Sequence, residues 1–518
     1  MSLYTLILFA LLCAGLYYVC PLRLRWLLLL LVSYAFYAYH GLSALPFLLL
    51  TTLSTWAGAL LIGRLSARSK AELKEKKASL TAQERKTLKA ALRRRERIVL
   101  LCTLLLNFGA LATLKYASPV LTLAGFAPLN LLLPLGISFY TFQSTGYLID
   151  VYNGKTAPQR NPLRFALFVS FFPQLIQGPI GRYDQLAPQL EAPHRFDLDG
   201  IERGLLLMLW GFFKKKVIAD RALPLVSGVF GAQEGYGGAM IVLAVLGYSL
   251  QQYADFSGGI DLVTGIAELF GIRLAPNFKR PYFAVSLGDF WRRWHISLGA
   301  WMRDYVFYPF ALTKPVSRLA KAAKARLGAE VSRALPAALG NILVFLLVGI
   351  WHGATANYVL WGLYNGLILA ASALLEPAYK RFGDRHGALV KSNAFHVVRV
   401  LRTFLIVNIG WYFDRCTRAG DAFAMLARTV TDFRPAQVSG ELLLALGLSS
   451  RDLFILALAT LLLFAVSLAQ ERGAQVRAFV LSRPLALRWL LLLGFILFIL
   501  ATLVSGSAGT GSFMYAVF

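Results

Sequence analysis

Apolar residues in this chain gather into runs of the length that a lipid core requires. A spanning helix needs about 20 mostly apolar residues. Such runs occupy 3–20, 24–41, 43–63, 98–116, 134–152, 203–219, 238–254, 338–352, 357–375, 397–413, 453–470 and 487–505. Shorter apolar pieces near 119–133, 165–180, 260–272 and 290–311 are interrupted by proline, glycine and charge. Broken backbone at membrane depth persists only where protein or a water-filled cavity satisfies its polar groups. The pattern predicts an all-α polytopic membrane protein of about 11–13 helices, with re-entrant or interfacial helices around a cavity.

Polar stretches between the runs set the expected topology. The segment from Arg64 to Arg97, with Lys74, Lys76, Lys77, Arg93, Arg94 and Arg95, reads as a charged helical hairpin or an amphipathic element. Lys and Arg accumulate on the cytoplasmic side of membrane proteins. That rule places 64–97, 314–333 and 380–402 inside, along with the turn carrying Arg472, Arg477 and Arg483. The mixed-charge segment 414–452 fits outside, and both termini emerge there. No basic n-region precedes Leu3–Val19, so it reads as a retained helix rather than a signal peptide.

Composition agrees. Apolar residues make up 57% and charged residues 15% of 518 positions, where soluble proteins carry roughly 25% charged residues. A net charge of +27 raises nucleic acid as a partner, but no aromatics interleave with the basic runs, as base stacking needs. The lipid bilayer is the expected partner. Cys13, Cys20, Cys102 and Cys416 are scattered, without C-x-x-C spacing, so neither a metal nor a bound cofactor is expected. There is no repeat, and the chain reads as a single integral membrane domain.

Ionisable residues at membrane depth are costly and mark function by default. Two regions concentrate them. The first runs from Tyr253 to Pro309 and includes Asp255, Ser257, Trp291, Trp294, His295, Arg303 and Asp304. On a continuous helix, Trp291, Trp294, His295 and Leu298 would share one face. An interfacial helix with aromatic anchors is the competing reading. The second region, 345–366, places Trp351, His352 and Asn365 among apolar residues and glycines. A lone membrane histidine is equally well a hydrogen-bonded structural residue. The chain has no H-E-x-x-H, Walker A loop, Rossmann fingerprint or G-x-S-x-G elbow.

The motifs D-F-S-G-G-I-D (255–261), N-F-K-R-P-Y (277–282), F-W-R-R-W-H-I-S-L (290–298), W-M-R-D-Y (301–305), G-I-W-H-G-A (349–354) and W-G-L-Y-N-G (361–366) resemble the membrane-bound O-acyltransferase (MBOAT) family. V-Y-N-G-K (151–155) and F-V-S-F-F-P-Q-L-I-Q-G-P-I (168–180) resemble its bacterial polysaccharide-modifying branch. The motifs span roughly 100–370, which the resemblance makes the catalytic core. It implies that His352 is the catalytic histidine and His295 a second, tunnel-lining one. It further implies an acyl thioester such as acetyl-CoA as substrate. Trp291, Trp294, Arg303, Asp304, Asp255, Ser257, Trp351 and Asn365 are the candidates for the tunnel wall or substrate contacts.

After a Gly/Ser-rich stretch, the tail 505–518 ends with Phe513, Tyr515 and Phe518 in an F-x-Y-x-x-F arrangement. It resembles the ending of the alginate-acetylation branch, which implies Tyr515 as an acyl relay to an extracytoplasmic SGNH-type acyltransferase. An aromatic interfacial anchor is the alternative. The expected function is O-acetylation of an extracytoplasmic polysaccharide at the bacterial cytoplasmic membrane. D-alanyl transfer from a carrier protein toward teichoic acid is the second reading, and a transporter or flippase without covalent chemistry the third.

Overall fold

The computed structural model describes residues 3–76, 79–129 and 131–504. Lys77 and the tail 505–518, with Tyr515, lie outside the described residues. Helices and their connections account for the described chain, with no strand among those residues. Packing divides it into two compact units. One comprises the chain up to Leu205 together with Val263–Ala275; the other comprises Leu206–Leu262 and the chain from Pro276 onward.

The first unit contains α1 (Leu3–Val19), α2 (Arg25–His40), α3 (Leu45–Glu75), α4 (Ala82–Leu123), α5 (Ile137–Tyr152), α6 (Pro162–Ser170), α7 (Phe172–Gln177) and α8 (Tyr183–Glu191). The basic segment 64–97 forms the expected helical hairpin. Thr81 caps α4 by accepting from the Glu84 backbone at 3.3 Å, while the Glu84 carboxylate accepts from the Thr81 backbone at 2.8 Å. This reciprocal cap satisfies two donors that a helix start otherwise leaves open. Farther along the hairpin, Asn107 Nδ2 donates to Ser54 Oγ at 3.0 Å and ties α4 to α3.

α5 explains the polar character of the 134–152 run. All its residues except Ile149 and Tyr152 are buried, including Gln143, Ser144, Thr145 and Asp150. Such a helix faces protein on every side and lacks a lipid-facing stripe. The interrupted 165–180 piece becomes two short buried helices, α6 and α7, separated at Phe171.

α9 (Leu198–Phe213) leads into the second unit, followed by a π-helical turn (Lys214–Ala219), α10 (Asp220–Gly231) and α11 (Gly238–Leu269). The paired short helices α12 (Leu287–Arg293) and α13 (Ile296–Met302) come next, then α14 (Tyr308–Ala311), α15 (Lys314–His352), α16 (Ala356–Leu374) and α17 (Glu376–Arg385). The chain continues through α18 (Gly387–Lys391), α19 (Asn393–Arg415), α20 (Ala419–Thr431), α21 (Gly440–Ala445), α22 (Ser450–Glu471), α23 (Val476–Leu481) and α24 (Leu485–Val504). α15 is interrupted at Gly328, where φ is 84°.

Seven helices among the described residues are long and apolar enough to cross a membrane, or eight if the bent pair α16–α17 forms one span. They include α2, α3, α4, α15, α19, α22 and α24. The runs 203–219 and 238–254 do not meet that measure: α9 ends after 16 residues, and the runs carry the buried polar groups Lys214, Lys215, Gln251 and Gln252. Together the helices make the chain an all-α, multi-pass membrane protein.

Two devices in the second unit position the candidate chemistry. The first is the α15–α16 hairpin. A Cβ on Gly349 would lie 2.4 Å from the Tyr358 carbonyl oxygen, and one on Gly362 would lie 2.4 Å from that of Phe345. Only glycine lets the two backbones approach this closely. The second is α19, which is pinned to α16 by Asn357 Nδ2 donating to the carbonyls of Phe413 (3.1 Å) and Cys416 (2.8 Å). Tyr364 adds a hydroxyl donation to Ile406 O at 2.8 Å.

Candidate active site

The piece 290–311 is interrupted, as expected, and the break falls at His295, which corrects the single-helix-face reading of Trp291, Trp294, His295 and Leu298. α12 ends at Arg293, and His295 adopts φ 46° and ψ 52° before α13 begins. A non-glycine residue in this left-handed region costs on the order of 1–3 kcal/mol. The loop at Asn277 offsets it. Its carbonyl accepts from Ile296 N at 3.0 Å, and its side-chain Oδ1 accepts from Ser297 N at 3.0 Å and Ser297 Oγ at 2.8 Å. Lys279 N also donates to Arg293 O at 2.9 Å. The break turns the buried imidazole into the interior while α12 and α13 stay anchored.

The same Oδ1 faces His295 Nδ1 at 3.3 Å. Because this oxygen already receives a backbone N–H, its identity as an acceptor is settled. Nδ1 therefore carries the proton in the neutral ring, leaving the lone pair on Nε2. Phe256 meets the imidazole edge-on, with centroids 4.9 Å apart.

His352 is the last residue of α15 and is buried. Its ring lies 5.0 Å from Trp361 and 5.8 Å from Tyr358, centroid to centroid. Trp351 lies near both histidines, 5.0 Å from the His352 ring and 6.4 Å from that of His295.

His295 and His352 line one cavity of about 460 Å³. Its wall includes Trp291, Trp294, Leu298, Arg303, Phe345, Trp361 and Trp411. Despite the helix break, the face expected from spacing survives as a shared cavity lining. Trp291 meets Trp361 edge-on at 5.5 Å, and Trp294 stacks on Phe290 at 5.5 Å. A volume of this size lies in the range of small-molecule sites, with mostly apolar walls and a few placed polar groups.

The other expected site residues fall into three places. Asn365 and Trp351 support the wall from behind. Trp291 Nε1 donates to Asn365 Oδ1 at 3.1 Å, and Asn365 Nδ2 donates to Trp361 O at 2.9 Å. Arg303 lines the cavity and pairs with Asp304 at 2.9 Å, its side chain 58% exposed. It therefore stands at the exposed edge of the cavity. Asp255 and Ser257 do not line this cavity. They belong to a buried ionic cluster on the π-helical turn: Lys215 pairs with Asp255 and, at 3.0 Å, with Asp220. Lys214 pairs with Asp261 at 2.8 Å and donates to Ser257 Oγ at 2.8 Å.

Sequence reading passed over Gln252, Asn341 and Trp411 in the lining and Asn277 beneath His295. The signal for Gln252 was present, as a glutamine inside the apolar run 238–254. Trp411 gives no comparable signal, since an aromatic in an apolar run is ordinary.

The MBOAT, membrane-bound O-acyltransferase, family model matches residues 159–409, which takes in every residue of the lining except Trp411. The chain is 37% identical over 406 residues to a protein of Pseudomonas syringae pv. tomato described as a probable alginate O-acetylase, AlgI, covering 77% of this chain and 69% of that one. A peptidoglycan O-acetyltransferase of Helicobacter pylori is 33% identical over 64% of each chain. A teichoic acid D-alanyltransferase of Bacillus subtilis is 27% identical, over 55% of this chain and 69% of that one. With both histidines in one cavity and this likeness across most of its length, the chain belongs to the membrane-bound O-acyltransferase family and is an O-acyltransferase.

Proposed function

We propose that this protein moves an acetyl group from acetyl-CoA on the cytoplasmic side toward an extracytoplasmic polysaccharide, passing it to an SGNH-type acyltransferase. The observation that carries the reading is the shared cavity of His295 and His352. His352 is the base. Its neutral imidazole takes the proton of a hydroxyl as that oxygen attacks the thioester carbonyl. Collapse of the tetrahedral adduct breaks the C–S bond, and the imidazolium returns its proton to the departing thiolate. General-base assistance of this kind contributes about 10²–10⁴-fold.

His295, with its proton directed at Asn277, offers Nε2 as an acceptor and orients the reacting groups. The exposed Arg303 suits the anionic part of the donor. Tyr515 serves as the acyl relay in the tail. The basic segments 64–97, 314–333 and 380–402 support a cytoplasmic face there, with both termini outside a bacterial cytoplasmic membrane.

The acetyl reading follows the O-acetylating relatives, at 33–37% identity. D-alanyl transfer from a carrier protein is the second reading, favoured only by the relatives at 27–28%. The test is acetylation of polymer in membranes carrying wild-type protein or His352→Ala. Loss of acetylation at normal protein level is expected. Undiminished acetylation in the variant removes His352 from the chemistry and the reading with it.

A further inference from the structure

Gln252 lies on α11, one turn before the phenylalanine that meets His295, and lines the same cavity. It is 3% exposed. Its amide has a settled orientation. Nε2 donates to Asp414 Oδ2 at 3.2 Å, and the Tyr248 hydroxyl donates to that same oxygen at 2.6 Å. An ionised carboxylate only accepts hydrogen bonds. The amino end of the amide must therefore face Asp414, and the carbonyl end is turned away from it. That carbonyl oxygen, Oε1, is buried and has no hydrogen-bond partner among the described residues.

Buried polar atoms are nearly always paired, and each exception needs an explanation. Trp294 and Trp411 line the same, mostly apolar cavity, where an acceptor gains most from a partner held in place. We infer that Gln252 is a substrate-binding residue, whose Oε1 accepts a hydrogen bond from a neutral N–H or O–H group of the substrate. Asp414 and Tyr248 are positioning residues that keep the amide from turning over. This inference rests on the acyl-transfer reading above. Two groups carry such a hydrogen: an amide N–H on the arm of the thioester donor, and the hydroxyl that is acylated. A glutamine discriminates by that hydrogen and not by charge.

The test uses the purified full-length protein, wild type and Gln252→Leu, with a surrogate alcohol as acceptor. Two donors are compared, acetyl-CoA and an S-acetyl thioester of a simple alkanethiol that contains no amide. Where the donor arm supplies the hydrogen, Gln252→Leu lowers kcat/KM roughly 3- to 10-fold with acetyl-CoA, and the deficit disappears with the alkanethiol ester. Where the alcohol supplies it, the KM for alcohol rises by a similar factor with either donor while the KM for thioester holds. Asp414→Asn frees the amide to turn over and gives a smaller deficit in the same pattern. Should Gln252→Leu not fold, Gln252→Asn, which withdraws the amide by one methylene, takes its place. An equal deficit, or none, with both donors and an unchanged KM for alcohol overturns the inference alone. Absence of His352-dependent turnover in the wild type overturns the acyl-transfer reading, and this inference with it.

Discussion

Asn277 holds His295 by the ring nitrogen, its Oδ1 lying 3.3 Å from Nδ1. The same oxygen takes two hydrogens from Ser297, so one side chain fixes both the ring's tautomer and the start of α13. Asn277→Ala is expected to lower kcat by about 10²-fold, the scale of a misplacement of about 1 Å. Asn277→Asp keeps an acceptor for Ser297 and is expected to retain the fold. Steady-state kinetics on both, with thermal unfolding as the control for folding, decides the matter. Equal kinetics in Asn277→Ala and wild type would show that the tautomer is set elsewhere.

Trp291 reaches the cavity wall through its hydrogen bond to Asn365. Asn365→Ala removes the acceptor and also the donor to Trp361 O. A loss of roughly 3- to 10-fold in kcat/KM is expected, the scale of one neutral hydrogen bond. Asn365→Asp restores the acceptor for the indole and should recover part of the loss.

The α15–α16 hairpin depends on two glycines in direct backbone contact. Gly362→Ala introduces a methyl 2.4 Å from a carbonyl oxygen. Separation of the helices is then required, destabilising the protein by about 1–3 kcal/mol, as overpacking does. Gly420→Ala serves as the control, because its Cβ meets nothing within 4 Å. Thermal unfolding in detergent should show a fall for the first and no fall for the second.

Arg221 and Asp452 form a buried ion pair at 2.9 Å, their side chains 4% and 9% exposed. Arg221 also donates to Thr502 O at 2.7 Å, so it joins α10 to both α22 and α24. Asp452→Ala leaves the guanidinium buried without its counter-charge and is expected to cost about 3–5 kcal/mol. The double change Arg221→Met with Asp452→Leu should recover much of that stability. A single variant as stable as wild type in thermal unfolding would show that water reaches the pair.

Long apolar runs such as α3, α4, α22 and α24 were legible because lipid-facing side chains leave an uninterrupted hydropathy signal. The runs behind α5 and α11, 134–152 and 238–254, were legible as well, but their burial was not, since a helix surrounded by protein need not be apolar. The pieces 238–254 and 260–272 read as separate, yet α11 joins them, running from Gly238 to Leu269. A Cβ on Gly258 would lie 2.9 Å from Gly211 O, so that glycine permits close packing and does not end the helix. At the site, His295 was legible from its density of polar neighbours and His352 as a lone imidazole in an apolar run. The turn at His295 was not, because its cause lies in the side chain of Asn277, 18 positions away. Asp255 was read toward the cavity, and its partner Lys215, 40 positions distant, draws it into another cluster.

The positive φ at His295 bears on how that position is best probed. Asparagine tolerates the left-handed conformation far better than alanine. A His295→Ala protein therefore confounds two injuries, a missing ring and a backbone pushed toward refolding into a straight helix. His295→Asn removes the imidazole while leaving the bend comfortable. The contrast between the two substitutions separates what the ring does for turnover from what the corner does for shape.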